Sequence, residues 1–304
     1  NPPQSAGAQL VPLETTTLVG LGLPLPPIDV VFPVLHGTYC EDGTLQGLLE
    51  LADVPYVGCG VLASAIGMDK EVAKRLAGLA GILVVPYLTV HSPTYAAQAS
   101  TLPAEVGHAL GYPCFVKPSG SGSSVGVHKV KKPEDLDAAV RDALRFDRKV
   151  LIEKAIDARE IEVAVLENSD PSGEPLCSIA GEINPRHEFY SYQAKYLDEN
   201  GAALLVPAPI SPAQLAEVKK WAALAFTTLE CEGLARVDFF LDRKTGQFYF
   251  NEVNTLPGFT SISMYPKLWE ASGIPYQELL SRLIDLALRR GQEKKALVHD
   301  FASI

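Results

Sequence analysis

Several things are missing from this sequence, and each shortage excludes a class. No two cysteines stand at CxxC spacing, so neither a zinc ribbon nor a paired framework is suggested. The five that exist (Cys40, Cys59, Cys114, Cys177 and Cys231) are odd in number, far apart and set in apolar runs. They read as reduced, buried thiols of a cytoplasmic protein. Positive charge is also short: 26 Lys and Arg against 36 Asp and Glu leave a net charge of −10. That argues against a broad nucleic-acid surface, so no nucleic-acid partner is expected. No apolar run approaches the ~20 residues of a membrane helix. No charged n-region with an apolar h-region opens the chain, and no membrane partner is expected. Internal repeats and low-complexity tracts are absent as well.

What is present is ordinary globular material: 304 residues, 47% apolar and 20% charged, enough for two or three cores. The opening NPPQSAGAQLVP lacks a Met and reads like the middle of a loop, so the sequence is expected to begin inside a larger gene product. IDVVFPVLHG (28–37) has the apolar run of a buried parallel strand, GTLQGLLELA (43–52) has helical spacing, and YVGCG (56–60) reads as the next strand. Together they predict part of a doubly wound α/β unit over 1–62.

A second, α+β unit is predicted over 63–156. It begins with an amphipathic helix at MDKEVAKRLAGLAG closed by Gly81, then a strand LVVPYLTV (83–90) and a short helix PAEVGHALG. CFVKP and SSVGVHKV are predicted strands, KPEDLDAAVRDALRF (132–146) a helix, and KVLIEKAI (149–156) a strand. The third unit, 157–304, opens with alternating strands at 159–168 and 175–184. A long helix follows at 211–230, with Ser211 as N-cap and Pro212 in its first turn. GLARVDFFLD and QFYFNEVN form a hairpin around Gly246, and two amphipathic helices follow. The basic stretch RRGQEKK (289–295) reads as a solvated helix end.

KPSGSGSSVGVHKV (117–130) is the first concentration of chemistry. It is not a dinucleotide fingerprint, because Val125 stands where the third glycine belongs, and no Gly-Lys pair makes it a P-loop. Two readings are open. Between antiparallel strands it is either a slack surface hairpin or a flap offering backbone N–H groups and hydroxyls to a triphosphate, with Lys117 as fixed charge.

The hairpin RVDFFLDRKTGQFYFNEVN (236–254) is the second. Alternation points Arg236 and Asp238 one way and Val237, Phe239 and Leu241 to the core. The same rule puts Phe248, Phe250, Glu252 and Asn254 on one face of the return strand, with the register uncertain by one residue. Asp238, Glu252 and Asn254 together make an oxygen site for Mg²⁺; the alternative is a solvated acidic face.

LHGTYCEDGTLQGLLEL, SAIGMDK, VKPSGSGSSVG, YQAKY, ARVDF and NEVNTLPGFTS, in this order, resemble the bacterial D-alanine–D-alanine ligases of the ATP-grasp superfamily. The resemblance runs from Asp29 to about Leu286. It implies an ATP-grasp fold (α/β and α+β) behind the partial N-terminal unit, a cytoplasmic homodimer, ATP with Mg²⁺ or Mn²⁺, and two D-alanines. Residue by residue, it implies Lys70 and Lys117 on the ATP phosphates, and Glu153, Lys154 and Ile156 around adenine. Glu160 is implied on the ribose, and Ser123 and Ser124 in the flap. Lys195 and Tyr196 match a mobile loop, the lysine meeting the transferring phosphate and the tyrosine shaping the second substrate site. Asp238, Glu252 and Asn254 match metal ligands, and Arg236 with the Gly258 N–H an oxyanion hole. Ser263 and Met264 match the site for the second substrate's carboxylate, with His36 and Glu41 close by.

The implied reaction passes the γ-phosphoryl group of ATP to D-alanine. The acylphosphate is then attacked by the amine of a second D-alanine, giving the dipeptide used in peptidoglycan precursors. The chain departs from the resemblance at its start, where the family's strand and E-H-x-V-S motif have no counterpart. The polypeptide alone is therefore expected to be weakly active or inactive. Two other readings stand beside the first: an ATP-grasp ligase with D-lactate or D-serine as acceptor, and a nucleotide-binding form without turnover.

Overall fold

In the computed structural model, residues 28–122, 124–185, 202–260 and 263–298 are described. Two antiparallel sheets dominate. The first has strand order β1-β4-β2-β3, from β1 (Tyr87–His91), β2 (Cys114–Pro118), β3 (His128–Val130) and β4 (Lys149–Lys154). The second has order β7-β6-β5-β8-β9, from β5 (Ala158–Leu166), β6 (Leu176–Pro185), β7 (Ala202–Leu205), β8 (Leu234–Asp242) and β9 (Phe248–Asn254).

Alternation along the strands decides which face of each sheet is covered. In the first sheet Cys114, Val116, Val150 and Ile152 pack under α4 (Ser92–Gln98), α5 (Leu102–Ala109) and α6 (Leu136–Ala143). Phe115, Lys117 and Glu153 are therefore left for the opposite face. In the second sheet Ile161, Val163, Val237, Phe239 and Leu241 pack against α3 (Lys70–Leu79) and α7 (Pro212–Thr228). The reverse face is divided. Ala164, Leu166 and Leu234 lie under α8 (Met264–Ala271) and α9 (Tyr276–Lys295). Glu160, Glu162, Arg236, Asp238 and Phe240 line a cleft.

The predicted N-terminal strands are reduced to one parallel bridge, Val31 to Tyr56. Pro33 removes a ladder donor two residues beyond it, so the run cannot extend the pairing. Helix α1 (Thr44–Leu51) is as predicted, whereas α2 (Val61–Met68) lay outside the sequence reading. The strand predicted at 83–90 is broken by Pro86: Val84 bridges Phe250, and β1 starts at Tyr87. The helix predicted over 132–146 is a 3₁₀ turn, Pro133–Asp135, followed by α6. Ser211 caps α7 as expected and forms a full capping box with Gln214.

The basic stretch at 289–295 is not merely solvated. Arg290 donates to the carbonyls of Tyr56 and Gly58 and pairs with Glu232, while its guanidinium lies 4.7 Å from the Tyr56 ring centroid. Arg289 reaches Glu167, and Lys294 pairs with Glu50. Residues of α9 thereby tie the segment around residue 56 to Glu232 and to the helix itself.

Candidate functional site

The cleft between the two sheets has a volume of about 590 Å³ and is walled by both uncovered faces. On the first sheet, Lys117 is the penultimate residue of β2. Its Nζ lies 2.5 Å from Glu153 Oε2 and 5.8 and 5.5 Å from the ring centroids of Phe115 and Phe240. Glu153 is buried, and its other oxygen is 2.8 Å from Lys74 Nζ. Burial alone would raise the pKa of this carboxyl, but the two lysines outweigh it and hold it near about 2. Lys154 and Ile156 follow it at the cleft wall.

Lys70 opens α3. Asp69 caps this helix, accepting from the amides of Glu71 and Val72. The same carboxylate takes the Ser119 hydroxyl at 2.7 Å and Lys149 at 2.5 Å, and buried Ser119 begins the glycine-rich loop. Lys70 Nζ donates to the Ser121 carbonyl at 2.6 Å and lies 3.3 Å from Glu252. The loop joins antiparallel β2 and β3, the setting that both readings of it share. Its backbone turns through left-handed conformations at Ser124 (φ 58°) and Gly126 (φ 69°). A Cβ at Gly126 would stand 2.6 Å from the Phe146 ring, so only glycine fits. Ser124 lines the cleft, while Ser123 lies outside the described residues.

The carboxylate hairpin settles its register with an irregularity. Asp238 faces Glu252 and Arg236 faces Asn254, but Phe239 faces Phe250, which leaves Asn251 as an extra residue. This bulge reverses the alternation. Phe248 and Phe250 enter the core, whereas Glu252 and Asn254 share a face with Arg236 and Asp238. The expectation that all four return-strand residues share one face is thus corrected.

Arg236 grips Asp238 through two nitrogens, at 2.8 and 2.7 Å, and lies 3.1 Å from Glu162. Burial works against its charge, but these carboxylates raise its pKa further. Asn254 donates to Asp238 at 3.0 Å.

The remaining predicted residues gather at one end. Glu41 accepts from the Gly37 amide at 2.8 Å, and His36 Nδ1 lies 3.8 Å from the Glu41 carboxylate. Hydrogen bonding to Glu41 raises the His36 pKa. A Cβ at Gly258 would lie 2.7 Å from Ser263 Oγ and 3.7 Å from His36, so these three residues adjoin. Ser263 is the N-cap of α8 and bonds the Thr260 amide and hydroxyl. The Met264 side chain is buried in the core beside Leu268. Its main chain stands at the first turn of α8, next to Ser263. Lys195 and Tyr196 lie outside the described residues.

Four residues of this region were missed: Lys74, Glu162, Asp69 and Ser119. Alternation in REIEVAV already puts Glu162 with Glu160, and helical spacing puts Lys74 one turn beyond Lys70. No sequence signal marks Asp69 as the partner of Ser119, fifty residues later.

Among the described residues no three His, Cys, Asp or Glu are grouped to hold a metal. The pair Asp238 and Glu252, with the carboxamide of Asn254, still fits Mg²⁺. That ion takes one or two carboxylates and draws its other oxygens from phosphate and water. Glu252 is already beside a cation, Lys70.

The comparisons agree with this geometry. The family profile described as D-ala D-ala ligase C-terminus matches residues 76–285, and that described as D-ala D-ala ligase N-terminus matches 18–59. The D-alanine–D-alanine ligase A of Bradyrhizobium diazoefficiens is 59% identical over 278 residues, 91% of this chain and 74% of that protein. The D-alanine–D-alanine ligase of Heliobacterium modesticaldum is 55% identical over 269 residues, 88% of this chain and 72% of that protein. Among solved structures, the D-alanine–D-alanine ligase of Coxiella burnetii aligns with TM-score 0.74 and 39% identity over 88% of this chain and 70% of its own. The VanG D-Ala:D-Ser ligase of Enterococcus faecalis aligns with TM-score 0.77 and 38% identity over 86% and 74%. With an ATP-grasp-like pair of antiparallel sheets and these matches, the chain belongs to the D-alanine–D-alanine ligase family.

Proposed function

We propose that the cleft binds ATP and two D-alanines and joins them through a D-alanyl phosphate. The observation that carries this reading is the meeting of Lys70 and Lys117 with the Arg236–Asp238–Glu252 face in one cleft. A carboxylate is a poor electrophile, so the first step is phosphoryl transfer, governed by positioning and charge. Lys117, Lys70 and Lys195 neutralise the phosphates, and the flap with Ser123 and Ser124 closes over them to exclude water. Glu153, Lys154 and Ile156 hold the adenine, and Glu160 the ribose. Asp238, Glu252 and Asn254 would hold Mg²⁺, or Mn²⁺, which when bound neutralises charge between phosphate oxygens.

The amine of the second D-alanine then attacks the acyl carbon and phosphate leaves. Arg236 and the Gly258 N–H face the tetrahedral oxyanion; donors of this kind contribute ~2.7–4 kcal/mol each. The second substrate's carboxylate rests on Ser263 and the Met264 main chain at the start of α8, with His36 and Glu41 beside it. Tyr196 bears on the acceptor. The reading includes three units (1–62, 63–156 and 157–304), the first derived from a doubly wound domain, and a homodimer. A cytoplasmic setting fits the five free cysteines.

The likeness to a D-Ala:D-Ser ligase favours one second reading, a different acceptor. Offering D-alanine with equimolar D-serine or D-lactate, and analysing the products by mass, decides between them. The proposed function expects D-alanyl-D-alanine in excess under every mixture. A mixed product in excess would replace it with the second reading.

A further inference from the structure

Lys74 is the one lysine among the described residues whose side chain is wholly shut from solvent. An ammonium in such a place is costly, and burial lowers its pKa. A helix such as α3 could pack there with an apolar residue, so the charge needs a reason.

Its contacts supply one. Lys74 Nζ lies 2.8 Å from Glu153 Oε1 on β4 and donates to the Phe250 carbonyl on β9 at 3.1 Å. It thus touches both sheets at the back of the cleft. Glu153 has its other oxygen on Lys117, whose side chain reaches solvent where Lys74 does not. Two lysines therefore share one buried carboxylate, and only Lys117 can reach an incoming phosphate. If Lys117 moved and no second cation remained, Glu153 would be a buried charge without a partner. That penalty would keep Lys117 where it is.

Phe250 is equally placed. It precedes the bulge that turns Glu252 into the cleft, its amide donates to Leu83 at 2.8 Å, and its carbonyl is held by Lys74. Both main-chain polar atoms beside the bulge are thus tied to α3 and the segment that follows it.

We propose that Lys74 is a positioning residue for the nucleotide: it holds Glu153 so that Lys117 can leave for the phosphates, and it anchors the bulge that aims Glu252. The proposal rests on the nucleotide reading of the cleft given above.

Calorimetric titration of the full chain with a non-hydrolysable ATP analogue and Mg²⁺ tests it. The comparison is wild type, Lys74→Gln and Lys74→Arg. Lys74→Gln keeps a hydrogen-bonding head group but no charge, and its Kd is expected to rise at least tenfold. Lys74→Arg should stay within about threefold of wild type. In steady state the KM for ATP should follow Kd, while the KM for D-alanine stays within twofold. A purely structural role would lower the binding stoichiometry and leave Kd alone. An unchanged Kd in Lys74→Gln, or an equal loss in Lys74→Arg, overturns the proposal. Should Lys74→Gln not fold, Lys74→Arg against wild type decides: a Kd more than threefold weaker overturns it. Failure of wild type to bind the analogue would sink the nucleotide reading itself, and the proposal with it.

Discussion

Arg236 shows how much one side chain carries here. Its fork holds Asp238 at two points and reaches Glu162, so one guanidinium serves two carboxylates. Arg236→Lys retains the charge but loses the fork. Its kcat is expected to fall roughly 10²–10³-fold with little change in melting temperature, checked by steady-state rates and calorimetry. Arg236→Met also takes a cation from Asp238 and Glu162, and should cost about 3–5 kcal/mol in urea unfolding. Glu153 gives a pH prediction. Its folded pKa of about 2 lies below the ordinary value of 4.5, so ionised Glu153 stabilises the fold above pH 4.5. That contribution is lost as pH falls from 4.5 to about 2. Urea midpoints measured across this window should drop more steeply in wild type than in Glu153→Gln.

At the scale of elements, the bulge and the glycine-rich loop shape the cleft. Simple alternation identified Arg236, Asp238, Glu252 and Asn254, because charged residues two apart among aromatics are legible. It misassigned Phe248 and Phe250, since nothing in QFYFNEVN announces the extra residue at Asn251. Deleting Asn251 would remove the extra residue and make Phe239–Phe250 and Asp238–Glu252 consecutive pairs, leaving Phe248 and Phe250 in the core and Glu252 in the cleft. The expected result is cooperative thermal unfolding close to that of wild type; loss of cooperative unfolding would contradict this register. The glycine-rich loop was legible as a connection between antiparallel strands that fits neither phosphate-loop template. Its anchorage was not, because Asp69, Ser119 and Lys149 meet only through tertiary structure. Gly126→Ala would force φ 69° on a residue with a Cβ and crowd Phe146 and Pro118. Left-handed backbone costs about 1–2 kcal/mol for such a residue. The KM for ATP should rise by about tenfold, measured at saturating D-alanine.

Across the whole molecule, the strands of the two sheets were readable because each sheet hides one face under amphipathic helices. The N-terminal segment was less so: its apolar runs match buried strands, yet only one bridge forms among the described residues. Long-range ties hold it instead. Arg290 joins Tyr56 and Gly58 across more than two hundred residues of chain and pairs with Glu232 as well. No local pattern foretells such a contact, and RRGQEKK looked like a solvated end for that reason. Arg290→Ala should destabilise the protein by about 1.5–3 kcal/mol and speed proteolysis within residues 28–60, followed by mass spectrometry.

The most direct measurement concerns the oxygen that a carboxylate surrenders when it is activated. D-alanine labelled with ¹⁸O in its carboxyl group would be incubated with the protein, ATP and Mg²⁺, and the released phosphate analysed by mass. An acylphosphate intermediate predicts one ¹⁸O in the phosphate for each dipeptide formed. Unlabelled phosphate, or ADP formed without dipeptide, would contradict it.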